Sequence, residues 1–597
     1  MTAPSVFRRR GGRRPQVRNL AGGHRRKKKP PGEEVEGESS RCCRRASALH
    51  FCLSDVMGPK EFKTEIVIAG GGLAGIVTAY ELLSSGRRVL LIDKDKRENF
   101  GGLAKQSFGG VHMIDTPHQR RLGIKDSPDL AWRDWQSVAN YQANDDWPRA
   151  WARFYCEHSR EDIFDFLASK QVKFLPVVNW AERGIYGPGN TVPRWHIVWG
   201  TGYEIIERML QALEAHPHRS NLELLFATEV SGIETANGRA IGIRGRSMES
   251  GAEIKVTSEH VVIASGGICG GDLSRLRANW YKPWGEPPQK LLNGAHDYGD
   301  GMLHDRVAAL GGAVTHLDLH WHYAAGVHHP AKRRPNDGLS LVPPRSALWF
   351  NARGKRIMTP GPMPVYGDTR HLVESVLRQP GQYSWQVMNW KIAVRELAVS
   401  GCDYMTAFRF KDRRALLAGA LFGNRELVTR LTRECPEDFI VADTLEELME
   451  GMDAANLFGH RLDREGMKET IQAWDAMIAR GPAYHNDEQL RRIANFRTYR
   501  GDRIRTCKFQ QILNPRARPL IAIREFILAR KSLGGIQTDL QCRVLRAGDG
   551  QPIPGLYAVG EAAGFGGGGI HGQGSLEGTF LGSCILTGRM AGRSIGN

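Results

Sequence analysis

The sequence predicts an α/β fold, a Rossmann-like domain interrupted by an inserted α+β domain. Three features predict it. A strand, a glycine-rich turn, a helix and a second strand follow one another between Glu65 and Asp93, the order of a βαβ unit. Apolar runs that read as buried strands return at Leu222–Ala227, His260–Ser265 and Gly555–Val559, so both ends of the chain carry sheet. Between about 325 and 520 the texture changes to mixed helix and loop, with charged helical stretches at Asp443–Ala455 and Arg464–Ala479. The expected domains are therefore a tail (1–56), a first part of the nucleotide domain (57–324), an insert (325–520) and a second part (521–597).

Taken in chain order, the tail comes first. Residues 1–56 hold 14 Lys and Arg against five acids, half of the net charge of +18. Basic, Pro- and Gly-containing runs without apolar period cannot bury enough surface to offset their ordering entropy, so the tail is expected to be disordered. Its open readings are an organellar targeting segment, a nuclear-type run at Arg25–Lys29, and an upstream start ahead of Met57. The rest of the surplus is spread over more than 500 residues, which gives no reason to expect a nucleic-acid groove.

The 597 residues exceed what one hydrophobic core usually holds, and 41% apolar with 24% charged residues is ordinary globular usage. No run of about 18 uncharged apolar residues is present to form a transmembrane segment. The ten cysteines are scattered without a CxxC pair, as in a reducing compartment. The expected location is cytoplasmic, with organellar targeting by the tail kept open.

The first crossover carries the clearest chemistry. Ile66–Ala69 reads as a strand, Gly70-Gly71-Gly72-Leu73-Ala74-Gly75 as the turn into a helix, and Val89–Ile92 as the next strand, ending at Asp93 and Lys94. Gly70 makes the turn, Gly72 lets backbone approach a diphosphate, Gly75 completes the cofactor-binding set, and Ala79 is small enough for close helix packing. The helix N-terminus offers free N–H groups and the positive end of its dipole. Asp93 is placed to accept ribose hydroxyls. Gly564, Gly566 and Gly569 also match GxGxxG, but inside a glycine run with no strand–helix context.

The C-terminal end argues for FAD. After the strand that ends at Val559 come Gly560 and Glu561, an acid at a strand's carboxyl end that suits a flavin ribityl chain. The set formed by Gly70–Gly75, by Gly101-Gly102 with Ser107-Phe108-Gly109-Gly110, by Ala264-Ser265-Gly266-Gly267 and by Gly555–Gly564 resembles the FAD-dependent oxidoreductase 2 family, that of the fumarate reductase/succinate dehydrogenase flavoproteins. Within it the chain looks most like FAD-binding dehydrogenases related to 3-ketosteroid Δ1-dehydrogenase. The resemblance covers about 62–597. It implies a Rossmann-like FAD-binding domain interrupted by an α+β cap, with hydride exchanged between flavin N5 and a CH–CH or C=C bond next to a carbonyl. It also implies cofactor contacts at Leu73, Ala74, Gly102, Ser107, Gly109, Gly110, Ala264, Gly266 and Gly267, and at Ser575 and Leu576 ahead of an apolar C-terminal helix whose N–H groups would face the flavin. The loop from Gly101 to Gly110 lacks the histidine that would link flavin covalently, so FAD is expected to be non-covalent.

Against the fumarate reductases two motifs differ. Their H-G-x-N-R-L-G-G arginine, which grips a carboxylate, is matched by Ser575, and their paired histidines before Gly-Gly are matched by Arg530 and Lys531. An apolar, ketosteroid-like substrate is therefore expected, with an organic acid held by Arg530, Lys531 and Arg370 as the alternative and a non-catalytic flavin-binding protein as the third reading. His322, Tyr323, Lys531 and His571 are the candidates for proton handling or carbonyl polarisation, each set against a structural role; for His571 that role is a hydrogen bond at the helix entry. Arg370 matches the family's catalytic arginine loosely, and a surface ion pair is its competing reading. The aromatic stretch Trp180–Gly202 is either pocket wall or core. The histidines at 316, 320, 322, 328 and 329 lack a helical HExxH pattern, and no metal is expected. With one dinucleotide fingerprint there is no second site for NAD(P)H, so electrons are expected to pass to or from a separate carrier or quinone-type acceptor.

Overall fold

The computed structural model describes residues 60–184, 187–358 and 367–597; the basic tail falls outside them. One sheet is built around β1 (Ile66–Ala69), which leads through α1 (Leu73–Ser84) to β2 (Val89–Ile92), with β3 (Leu222–Leu225) and β4 (His260–Ile263) beside them. These four strands run parallel in the order β4-β1-β2-β3. Their unbroken apolar sequences follow from burial on both faces. Ile66 and Ile68 pack into one core with α1, and Val67 and Ala69 into another on the opposite face.

A second sheet then forms. Its central strands are β5 (His320–His328) and β6 (Leu520–Ser532), paired antiparallel, with six further strands beside them. A third core lies against this sheet and draws almost all its side chains from Cys269–Ala529. β5 spans the limit expected at 325, and β6 starts at the limit expected at 520.

After β6 the chain returns to the first sheet as β7 (Pro552–Ala558), parallel to β4, and ends in α2 (Thr579–Gly596). α1 and α2 pack closely through small residues. A Cβ on Gly588 would lie 2.7 Å from the Ala74 carbonyl oxygen, and Arg589 on α2 pairs with Glu81 on α1 at 2.7 Å. The first and last elements of the domain are thus one packed unit. Among the described residues no helix is long and apolar enough to cross a membrane.

Candidate active site

The turn after β1 is built for backbone approach. Gly70 has φ +122°, and a Cβ there would sit 2.2 Å from the Ala264 carbonyl oxygen, so the turn closes onto the end of β4 only with glycine. Gly75 lies inside α1 against the Gly70 carbonyl, away from open space. Gly72 caps α1 with no side-chain hydrogen bond and no acid in the first turn, which leaves the helix's N–H groups unanswered. Around Gly72 a Cβ would meet nothing within 4 Å.

That open space belongs to a cavity of about 1090 Å³, part of it open to solvent. It lies beyond the carboxyl ends of β1, β2, β4 and β7, where open parallel sheets bind ligands. Gly70, Gly72, Leu73, Ala74, Asp93 and Lys94 line it from the first crossover. Gly102, Ala264, Gly266, Gly267, Gly560 and Glu561 line it from the other strand ends and loops. Asp93 accepts hydrogen bonds from the backbone N–H groups of Gly71 and Asp95; burial pushes its carboxyl up, and those N–H groups pull it back. Lys94 is held by Glu229 at 2.7 Å and Asp300 at 3.0 Å.

Glu561 stands where this cavity joins a second chamber of about 680 Å³, also part open to solvent; Leu103, Ala104 and Cys584 line both as well. The Ser532 N–H donates to Glu561 at 2.9 Å, and burial pushes the carboxyl up to about 6 against that bond and the nearby Lys531 and Arg530 charges. A Cβ on Gly267 would lie 2.3 Å from Glu561 Oε1, so glycine there admits the acid.

The second chamber combines an aromatic wall with charged groups, Arg530, Lys531, Glu561 and Glu577. Phe108, Trp195, Phe565 and Phe580 wall it, with Ser107, Gly109 and Gly110 from the loop after Gly101. Lys531 Nζ donates to Tyr323 OH at 3.2 Å, and Tyr323 OH donates to Glu577 Oε2 at 3.0 Å. The ammonium also lies 3.8 Å over the Phe580 ring. Burial pulls Lys531 down to about 8, with Glu577 opposing, and burial followed by the Glu577 charge pushes the Tyr323 hydroxyl well above its usual value. β5 and β6 position the first two groups as neighbours at the end of one sheet. α2 begins at the chamber wall: Gly578, its N-cap in the left-handed conformation, together with Phe580 and Leu581, lines the space.

Of the four catalytic candidates, Tyr323 and Lys531 reach the chamber; His322 and His571 line neither cavity. His322 is buried, stacked on Trp280 with ring centroids 5.1 Å apart, and neither ring nitrogen has a hydrogen-bond partner among the described residues. The alternation of β5 points it away from Tyr323. His571 is buried behind the start of α2, its Nε2 2.8 Å from Thr579 Oγ1. Ser575 and Leu576 are also buried outside both cavities. Arg370 pairs with Glu374 at 3.0 Å and donates to the Gln573 carbonyl, away from the chamber. Of the stretch 180–202, Trp195 walls the chamber. In the histidine-rich stretch, His328 sits with Glu437 and Asp438 in one cluster, tied into ion pairs with Arg524 and Lys332.

Several site residues escaped the sequence reading. Thr228–Val230 line the first cavity just beyond β3; their signal was position, since they follow a parallel strand as Asp93 does. His296, Tyr298, Gly299 and Asp300 reach the same cavity from an irregular loop, with Met302 at the start of the following helix, and carry no sequence signal. Glu577 is the lone acid of a glycine-rich, otherwise uncharged segment, which is the trace it leaves.

Unanswered helix N–H groups facing a cavity at the strand ends, an acid at a strand end and an adjoining chamber suit one class: an FAD-dependent oxidoreductase. Residues 65–581 match the FAD binding domain family, and the chain belongs to it. A KsdD-like steroid dehydrogenase of Mycobacterium tuberculosis is 38% identical, over 89% of this chain and 95% of the relative. Two solved structures share the fold. The open conformation of a flavocytochrome c3 fumarate reductase has a TM-score of 0.63 at 19% identity, covering 90% of this chain and 79% of that one. The 3-ketosteroid-Δ4-(5α)-dehydrogenase of Rhodococcus jostii, solved with 4-androstene-3,17-dione, has a TM-score of 0.60 at 19% identity, covering 91% and 100%.

Proposed function

We propose that the second chamber holds an apolar, ketosteroid-like substrate and that the reaction adds or removes hydrogen across a CH–CH bond beside its carbonyl. The observation that carries this reading is the chain Lys531–Tyr323–Glu577, at 3.2 and 3.0 Å, set beside the aromatic wall of Phe108, Trp195, Phe565 and Phe580 in a chamber that adjoins the dinucleotide cavity. The steroid dehydrogenase name of the 38% identical relative supports the substrate class.

FAD, when bound, supplies the hydride acceptor or donor. Gly70, Gly72 and the start of α1 would hold its diphosphate, Asp93 a ribose and Glu561 the ribityl hydroxyls. The chain's own residues handle the proton. In the oxidative direction the carbon beside the carbonyl gives its proton to the Tyr323 oxygen as the hydroxyl proton passes to Glu577. The C–H electron pair stays in the substrate and becomes the new double bond. Lys531, donating to the same oxygen, stabilises the negative charge that gathers there during transfer. Run backwards, the relay delivers a proton to the substrate. The loop from Gly101 to Gly110 offers no histidine, which supports non-covalent FAD. Residues 325–520 act as a cap in this reading, reaching the chamber through Ser400. Electrons pass to or from a separate carrier or quinone-type acceptor.

Arg530 beside Lys531 in the chamber favours a second reading, a carboxylate substrate; Arg370, engaged with Glu374, adds nothing to it. Anaerobic mixing decides between them. Ketosteroids should bleach the oxidised flavin, or enones reoxidise the reduced one, and fumarate should do neither. A flavin spectrum unchanged by any ketosteroid or enone removes the proposal.

A further inference from the structure

We propose that the helix Arg413–Phe422 and the turn before it dock the protein on an anionic lipid surface. That helix buries none of its side chains. Phe410, Leu417, Leu421 and Phe422 are 73%, 62%, 62% and 73% exposed, among the most exposed large apolar residues described. Arg414, Leu417, Ala418 and Leu421 recur at helical spacing, which puts apolar groups and a cation on one outward face, and Arg425 opens the next helix just beyond Gly423. A contiguous exposed apolar patch of this kind marks an interaction surface.

Charge selects the occupant. Between Ala407 and Arg425 five cations (Arg409, Lys411, Arg413, Arg414, Arg425) stand with one acid, Asp412, whose carboxylate is used as the helix N-cap; Arg409 pairs with Asp403 and Lys411 with Glu204, which leaves three arginines. Arg413, Arg414 and Arg425 are exposed and make no ion pair among the described residues. Aromatic and aliphatic groups flanked by unpaired arginines suit insertion at the headgroup level of a bilayer that carries negative charge. The place in the fold agrees. Phe408, in the turn Thr406–Arg409, packs edge-on against Phe108 at 5.1 Å, and Phe108 walls the substrate chamber. An apolar substrate dissolved in the bilayer would meet the protein one side chain from its chamber. This last step rests on the substrate reading above; the docking does not.

The test is co-sedimentation of the full, flavin-loaded chain with vesicles of phosphatidylcholine alone and of phosphatidylcholine mixed with phosphatidylglycerol. Binding is expected to the mixed vesicles. Arg413→Gln/Arg414→Gln should weaken it about 30-fold, taking ~1 kcal/mol per basic residue. Leu417→Gln/Leu421→Gln/Phe422→Gln should abolish it while flavin content and sedimentation coefficient stay as in the unsubstituted chain. The proposal is overturned by absence of binding to mixed vesicles. It is also overturned if the triple variant still binds, since the basic residues 1–56 would then be responsible. A chain that is dimeric, and that the triple variant turns monomeric without any change at vesicles, overturns it in favour of self-association. Because no turnover enters these readouts, failure of the substrate assignment leaves them unaffected.

Discussion

Replacing Lys531 by Met keeps the length of the side chain and removes its charge. In the structure the ammonium gives one hydrogen bond, 3.2 Å long, to Tyr323 OH, the oxygen on which charge gathers as the proton moves. A hydrogen bond from a charged donor contributes about 1.5–3 kcal/mol, and each ~1.4 kcal/mol of barrier is a factor of ten in rate. Lys531→Met should therefore lower kcat by about 10- to 150-fold, with little change in KM, since the bond gains strength only in the transition state. The pH profile adds a second readout. Burial pulls Lys531 down to about 8, so the ammonium is present below that pH and lost as pH rises through it. The kcat of the unsubstituted enzyme should fall above about pH 8, and the variant should lose that limb. Stopped-flow flavin reduction across the pH range measures both. Glu182, which burial pushes up to about 8, titrates in the same window and is the control: Glu182→Gln should keep the limb. A Lys531→Met enzyme with undiminished rate and the same fall near pH 8 would refute the role given to the lysine.

Three further outcomes follow from the same geometry. Glu182 binds its proton more tightly in the folded state, about 8 against 4.5, so its contribution to stability is full below pH 4.5 and is lost as pH rises through 8. Glu182→Gln should flatten that loss, by at most about 5 kcal/mol, in urea denaturation compared at acidic and alkaline pH; parallel slopes for both chains would count against it. Gly72→Val places a side chain where the fold has open space, so the variant should be folded by circular dichroism yet purify without flavin, and a yellow, fully loaded variant would contradict the diphosphate assignment. Tyr323→Phe breaks the proton relay and should cost about 100-fold or more in kcat, whereas His322→Leu, which removes two unpartnered nitrogens, should change kcat less than about 3-fold; equal losses would restore His322 to the chemistry.

The parts of the site that were legible in the sequence are those fixed by local backbone. Gly70, Gly72, Asp93 and Glu561 each end or follow a strand of four to seven apolar residues, and such strands announce both themselves and what stands at their ends. The same rule would have found Thr228–Val230 after β3. The chamber is different, because it is assembled by pairing β5 with β6, about 200 residues apart in sequence. Tyr323 and Lys531 could be named from a resemblance, but the step from His322 to Tyr323 depends on which face of β5 turns inward, and a strand buried on both faces gives no alternation to read. Glu577 joins them only because α2 returns to α1 across the whole chain.

The central claim is that one FAD spans both cavities, with its diphosphate at the Gly70–Gly75 turn and its ring in the chamber of Tyr323 and Lys531. A crystal structure of the flavin-loaded protein tests this most directly. It should show Glu561 within hydrogen-bond reach of the ribityl chain and the open face of the ring turned toward the Tyr323 hydroxyl. A ring lodged elsewhere, with that chamber filled by side chains, would contradict it.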